Sequence, residues 1–408
     1  EQRFDHRVRN VMAMFWLIIY VFVNLTSILW LGALAVNTVT GLSLVWGLLG
    51  LGTFATAYSI YGGLKAVALT DIIQVVLLIL GGILIAIVSL NEVSGGQGTI
   101  AGFNMLLEKL PGHFDLIFTK DSPHYMDLPG ISVLVGGMWV MHLSYWGFNQ
   151  YIIQRALAAK STHEAQKGLA FAAFLKVLMP IIIVLPGVAA AVLAPSLASP
   201  DKAYPTVLNL LPSGILGLVF AALIAAIVSS LASMMNSIST IFTMDLYRHF
   251  SSGEKSEKQL VTVGRMVSIT AMIIALIVAK PLLGNFQQAF QFIQEFTGFF
   301  TPGVCALFLL GFFWSKTTAN GALATAIGSA AFSIAFKLLW PALPFIDRVG
   351  IVFVLCILVG VTISAFEGGE PHPDAIDYKS IDTSTTSGFN IASIVIVLAI
   401  SALYATWW

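Results

Sequence analysis

Gly168-Leu-Ala-Phe-Ala-Ala-Phe-Leu-Lys-Val-Leu-Met-Pro-Ile-Ile-Ile-Val-Leu-Pro-Gly-Val-Ala-Ala-Ala-Val-Leu193 is long and apolar enough to cross a bilayer, yet it carries Lys176 well inside its length. A membrane span needs about 20 consecutive apolar residues. An ammonium at membrane depth costs at least about 2.5 kcal/mol on insertion scales. Such a residue is kept where it faces a wet cavity or a polar partner, and so marks a pathway through the membrane. The rest of the chain is of the same kind. Hydrophobic residues make up 58% of the 408 and charged residues 10%, against roughly 25% charged in a soluble domain. The expected fold class is an all-α polytopic protein of the lipid bilayer. A net charge of +0 gives no reason to expect a nucleic-acid partner. Cys305 and Cys356 both lie in apolar runs and suggest neither a disulfide framework nor a metal site.

Runs of span length recur at 10–36, 41–60, 70–91, 131–152, 166–194, 214–244, 261–281, 286–312, 319–340, 347–366 and 389–408. That predicts about eleven transmembrane helices in one transporter-sized domain over 1–408. The longer connections, 92–130, 195–213 and 367–388, carry Gly, Pro, Ser, Asp and Thr and read as surface loops. Basic residues set the orientation. With the N-terminal end inside, Arg3, Arg7, Arg9, Lys65, Arg155, Lys160, Lys167, Arg248, Lys255, Lys258, Arg265, Lys316 and Lys379 fall on the cytoplasmic side. The other side has only Lys109, Lys120, Lys202, Lys280 and Arg348. The expectation is a cytoplasmic N-terminal end, an outside C-terminus, and a multi-pass protein of the inner (plasma) membrane.

Four constellations could carry chemistry. Ala226, Ser229 and Ser230 sit at i, i+3 and i+4 and share one helix face. Two hydroxyls beside a carbonyl are hard oxygens that suit a small hard cation; small-residue helix packing explains the same pattern. Gln287, Gln291 and Gln294 also share a face, and Asn24 lies within the first span. Their amides both donate and accept, which suits a hydroxyl-rich ligand, or equally an interhelical hydrogen bond. His142, Ser144, Tyr145 and Trp146 form a polar-aromatic patch, which an interfacial aromatic belt would also produce. Tyr61-Gly-Gly-Leu-Lys-Ala-Val-Ala-Leu-Thr-Asp71 reads as a tight glycine turn between two spans, with Asp71 opening the next helix as a dipole-favoured carboxylate or a cation way-station. No H-E-x-x-H or G-x-S-x-G motif occurs, and no acid, base or nucleophile set surrounds Glu295. A polytopic membrane enzyme is therefore the weaker class.

Four stretches together are specific: Tyr58–Gln74, Tyr145–Arg155, Ala225–Ser233 and Gln288–Glu295. Through them, and in order along the whole chain, the sequence resembles the sodium:solute symporter family, in its sodium/glucose (galactose) cotransporter branch. The resemblance implies an inverted five-helix-repeat fold with a midplane site. Residues 10–91 would be the remainder of the first repeat, 131–312 the second, and 319–408 accessory helices. It implies sodium-coupled symport of a hexose by alternating access, with sodium as the coupling ion and no obligatory protein partner. Asn24, Lys176 and Gln294 would bind sugar hydroxyls. Tyr145 would stack on the ring as inner gate, and Phe290 would belong to the outer gate. The Ala226 carbonyl with the Ser229 and Ser230 hydroxyls would hold sodium, with Asp71 on its exit route. His142, a further sugar contact, stands where the family pattern has an asparagine, which leaves the sugar preference open. The chain begins where the family's fourth helix begins, so the first three helices, and one wall of the pocket, are expected to lie upstream. Symport of another neutral polyol, or an uncoupled sodium channel or sugar sensor, would use the same residues.

Overall fold

The computed structural model describes residues 2–408 apart from Ser252, Glu254, Asn285, Gln287, Gly369, Tyr378 and Lys379, with side chains described everywhere but 62–70. Gln287 and Lys65, both singled out in the sequence, therefore lie outside the described positions or side chains. Among the described residues every regular element is helical. Among the described residues nine helices are individually long and apolar enough to cross a membrane, or up to ten if a bent pair counts as one span.

The first helix, α1, spans His6–Thr40. Asp5 caps it by accepting from the N–H groups of Arg7 and Val8, and Gly41 ends it in the left-handed conformation at φ 74°, which glycine adopts without steric cost. A π-helical stretch, Ile19–Leu25, interrupts its middle. Helix α2, Leu44–Val93, contains two of the expected spans, Leu44–Tyr61 and Asp71–Val93. The tight turn expected at Gly62-Gly63 is not formed, because the backbone is helical across it. Two glycines cost a helix about 1 kcal/mol each, and the run Leu64-Lys-Ala-Val-Ala-Leu69 that follows is rich in helix formers. Asp71 consequently sits inside a helix and takes no benefit from a helix N-terminus.

After a short helix, α3 (Thr99–Lys109), the expected span 131–152 is built from pieces. These include α4 (Gly137–Leu143), a π-helical turn at Ser144–Phe148, and α5 (Gln150–Leu157). Two local causes stand out. A β-carbon on Gly137 would lie 1.9 Å from the Ile346 carbonyl oxygen, so only glycine permits this backbone approach. Asn149 is extended and caps α5 by accepting from the Tyr151 N–H. Then come α6 (Thr162–Leu193), α7 (Ser213–Phe250) and α8 (Glu257–Leu283).

The expected span 286–312 is the bent pair, α9 (Ala289–Thr297) and α10 (Thr301–Phe313), which meet at 44°. Pro302 starts the second member at a position where its missing N–H costs nothing. Helices α11 (Ala319–Leu339), α12 (Phe345–Phe366) and α13 (Ser387–Thr406) complete the chain.

The main buried cluster joins α1 (Tyr20, Leu25, Leu29), α2 (Leu48, Leu51), α7 (Leu231, Met235), α8 (Met272) and α9 (Phe292). Those helices carry Asn24, Asp71, Ser229 and Gln294. Helix α2 packs along α7 and against α6, and Gly81 and Gly82 in turn make these two close approaches possible. A β-carbon at Gly81 would meet Val219 at 2.7 Å, and one at Gly82 would meet Ile182 at 2.2 Å.

Candidate functional site

Asp71 is the centre of a polar cluster between α2, α5 and α7. The Ser229 hydroxyl donates to Asp71 Oδ1 at 2.5 Å. Arg155 Nη2 donates to Asp71 Oδ2 at 2.9 Å and to Ser233 Oγ at 3.1 Å. Ser230 follows Ser229 on α7, beside the Tyr151 side chain. Ser229 and Ser233 are buried. They lie four residues apart on α7, as Tyr151 and Arg155 do on α5, so two helix faces are turned towards one carboxylate. The arrangement presents a carboxylate and several hydroxyls, all hard oxygens of the kind that ligate a small cation. Ala226 lies one turn before Ser229. Helix α7 is unbroken from Ser213 to Thr240, so the Ala226 carbonyl belongs to a regular ladder and is not exposed by a bend.

The cluster is tied to the first helix through Tyr20. Its hydroxyl donates to Asn149 Oδ1 at 2.6 Å and accepts from the Tyr151 N–H at 3.3 Å. Tyr20 thus fixes the start of α5 and with it the reach of Arg155. One helical turn further along α1, Asn24 lies in the π-helical stretch, and its Oδ1 is buried with no hydrogen-bond partner. A buried amide oxygen left open is an acceptor waiting for a donor. Tyr145 also lies in a π-helical turn, and such insertions concentrate at functional positions.

Lys176 opens onto a cavity of about 510 Å³ lined by His142, Trp146, Pro180 and residues of α13 including Ile396 and Ile400. Its Nζ stands 5.5 Å from the centroid of the Trp146 ring, within cation–π range. Tyr145 packs edge-on against Trp146, centroids 5.3 Å apart, and is 42% exposed. The structure therefore brings His142 and Lys176 together, with Tyr145 beside them, around the indole of Trp146, a member of the polar-aromatic patch. Asn24 and Gln294 do not line this cavity; they lie on segments of α1 and α9 that pack against each other.

Helix α9 carries Phe290, 67% exposed, and Gln294. Its polar side chains are held from outside the helix. Asp201 Oδ2 accepts from the Ala289 N–H at 2.9 Å, and Gln291 donates to Asp127. Glu295 Oε1 accepts from Lys337 Nζ at 2.6 Å. Gln291 thus bonds a carboxylate of the connecting segment 110–131 and not a second helix. Arg155, Tyr151 and Ser233 are contributors that sequence reasoning missed. The i, i+4 spacing in Tyr151–Arg155 and in Ser229–Ser233 was the available signal.

Residues 1–328 match the sodium:solute symporter family. A sodium/glucose cotransporter of Vibrio parahaemolyticus is 46% identical over 427 residues, covering 100% of this chain and 78% of that protein. The human sodium/myo-inositol cotransporter 2 is 34% identical over 345 residues, covering 78% of this chain and 50% of that protein, so the match spans about half of its length. A solved structure of a Na⁺-coupled sialic acid symporter, substrate-bound and outward-open, superposes with a TM-score of 0.74 at 25% identity, covering 89% of this chain and 75% of that one. The inverted-repeat transporter fold expected from the sequence is the fold shared with that neighbour.

Proposed function

The chain belongs to the sodium:solute symporter family, a family of membrane transporters and not of enzymes, and from that premise we propose that it carries out sodium-coupled symport of a hexose by alternating access. The 46% identity to a sodium/glucose cotransporter over the whole chain supports the substrate class. The observation that carries the coupling is the Asp71–Ser229 contact, which places a carboxylate on the hydroxyl-bearing face of α7. In this reading the Ser229 and Ser230 hydroxyls hold sodium together with the Ala226 carbonyl, which has a second lone pair beyond the one the helix ladder uses. Asp71 receives the ion as it leaves inward, where Arg155 competes for the same carboxylate.

In this reading Lys176 and His142 bind the sugar from their cavity, and Asn24 and Gln294, which do not line it, contribute from α1 and α9. Lys176 supplies donors only, and the open Asn24 oxygen accepts from a hydroxyl. Tyr145 closes on the sugar from one side and Phe290 belongs to the gate on the other. One positive charge moving inward through 100 mV supplies about 2.3 kcal/mol, enough for one ion to concentrate an uncharged solute. The N-terminal end lies in the cytoplasm, with 10–91 in the first repeat, 131–312 in the second and 319–408 accessory.

A polyol substrate is the second reading, favoured by the 34% identity to a sodium/myo-inositol cotransporter. Uptake of galactose, glucose and myo-inositol into proteoliposomes, with and without an inward sodium gradient, tests both. Sodium-driven uptake of a hexose above myo-inositol is the expected result. Sodium current without solute uptake would instead make the protein a channel or sensor.

A further inference from the structure

Glu295 is shared by two cations from different helices. Lys337 of α11 holds its Oε1 at 2.6 Å, while Arg348 Nη2 of α12 stands 3.5 Å from the same oxygen. The two cations differ in environment. The Lys337 side chain is 41% exposed and that of Arg348 is 5% exposed. Arg348 Nε and Nη2 are buried and make no hydrogen bond. A buried guanidinium with open donors beside a carboxylate is an incomplete arrangement, and one acceptor within reach would complete it.

The position of Glu295 gives this incompleteness a consequence. It lies just before the 44° break between α9 and α10, on the same short helix as Phe290 and Gln294. Aromatic rings at the break are contacted by the same two cations. Lys337 Nζ stands 5.3 Å from the Phe296 centroid and 5.6 Å from that of Phe299, and Arg348 lies 5.0 Å from Phe299. Sliding of a cation over a ring face loses little, so these contacts guide a tilt without blocking it. Two further polar holds on α9, from Asp201 and Asp127, come from the connecting segments 194–212 and 110–131, while its apolar face, with Phe292, packs against α1.

We infer that Glu295 is a two-position latch, in which tilting of α9 about the break at Gly298–Phe300 transfers its carboxylate from Lys337 to Arg348 and so sets the openness of the gate that carries Phe290. The role of that gate rests on the symport reading; the exchange of partners stands on the geometry alone. Glu295, Lys337 and Arg348 are positioning residues, and none is assigned to sugar or sodium.

The test reads the gate directly. Phe290→Cys is introduced into the full chain, whose own Cys305 and Cys356 are buried, and its rate of modification by a membrane-impermeant thiol reagent is measured in proteoliposomes. Lys337→Gln leaves Glu295 to Arg348, and Arg348→Gln leaves it to Lys337. The two variants should shift the labelling rate in opposite directions, by about threefold or more each, as expected for an ion pair at partial exposure. Glu295→Gln should fall between them and respond less to added sodium. Arg348→Lys, which keeps the charge with fewer donors, replaces Arg348→Gln if that variant does not fold. Unchanged rates, or shifts in the same direction, overturn the latch. Sodium-driven uptake is measured in parallel on vesicles holding the protein with Phe290 intact. Opposite labelling shifts without uptake would refute the symport reading and leave the latch standing; uptake with unchanged labelling would do the reverse.

Discussion

Ser229 and Asp71 meet across two helices, the hydroxyl donating to Asp71 Oδ1 at 2.5 Å while Arg155 holds Oδ2 at 2.9 Å. Both carboxylate oxygens are thus engaged, one by a neutral donor that can rotate away and one by a fixed cation. In the proposed reading, a sodium ion entering this cluster would compete with the hydroxyl proton for Oδ1 and with Arg155 for the charge of the carboxylate. Replacing Asp71 by Asn removes the charge the ion seeks but leaves an oxygen acceptor for Ser229. Asp71→Asn should raise the sodium concentration for half-maximal uptake about tenfold, equivalent to about 1.4 kcal/mol, with the maximal rate less affected. Ser230→Ala should move the same curve in the same direction. A sodium activation curve that does not move in either variant would return these residues to a packing role.

Lys176 and Trp146 make a second measurable pair. The Nζ lies 5.5 Å from the indole centroid across the cavity that His142 also lines. Lys176→Ala removes both the donors and the charge, and should abolish sugar uptake while the protein still elutes as a folded species in detergent. Trp146→Phe keeps a ring and a weaker cation–π partner, so its uptake should fall by only a few-fold. Equal loss in the two variants would mean that the indole contacts the sugar itself.

The long apolar runs were legible in the sequence because lipid imposes one requirement, length, on every spanning helix. The shared face of Ala226, Ser229 and Ser230 was legible because helical period alone sets it. What the sequence could not disclose depends on which helices approach. Arg155 reaches Asp71 from 84 residues away, and Lys337 reaches Glu295 from 42 residues away. Nothing in the local pattern of either pair announces its partner. Asp71 was misread for a related reason. The glycine pair before it has the composition of a turn, but whether two glycines break a helix is decided by the neighbours packed along it. The pieces of the span 131–152 follow the same logic, since the close approach at Gly137 exists only because Ile346 is there to be approached.

Gly82 gives a stability prediction that does not depend on function. A β-carbon there would stand 2.2 Å from Ile182 Cγ2 and 3.2 Å from the Ile182 carbonyl oxygen. The side-chain carbon can rotate aside; the carbonyl cannot. Gly82→Ala should therefore destabilise by about 1–3 kcal/mol, the range for overpacking, and Gly82→Val by more. A lowered unfolding midpoint in detergent checks this, and partial recovery on combining Gly82→Ala with Ile182→Ala would locate the clash. An unchanged midpoint in Gly82→Val would show that α2 and α6 separate freely at this point.

Asp201 supplies the pH dependence. It lies outside the spans and accepts from the Ala289 N–H at 2.9 Å, capping α9 from a loop. Burial raises its pKa above the ordinary 3.8, and the hydrogen bond from Ala289, which acts the other way, is the smaller influence. The native protein therefore holds this proton more tightly than the unfolded chain does, so ionised Asp201 costs stability at neutral pH. That cost is relieved as the pH falls through the folded value, and below the unfolded value the contribution becomes constant. Asn at this position keeps an oxygen for the Ala289 N–H with no charge to desolvate. Asp201→Asn should unfold at or slightly above the wild-type temperature at neutral pH, with the difference closing on acidification. A variant that unfolds several degrees lower at neutral pH would mean that the negative charge at the α9 N-terminus is worth more, through the helix dipole, than its burial costs.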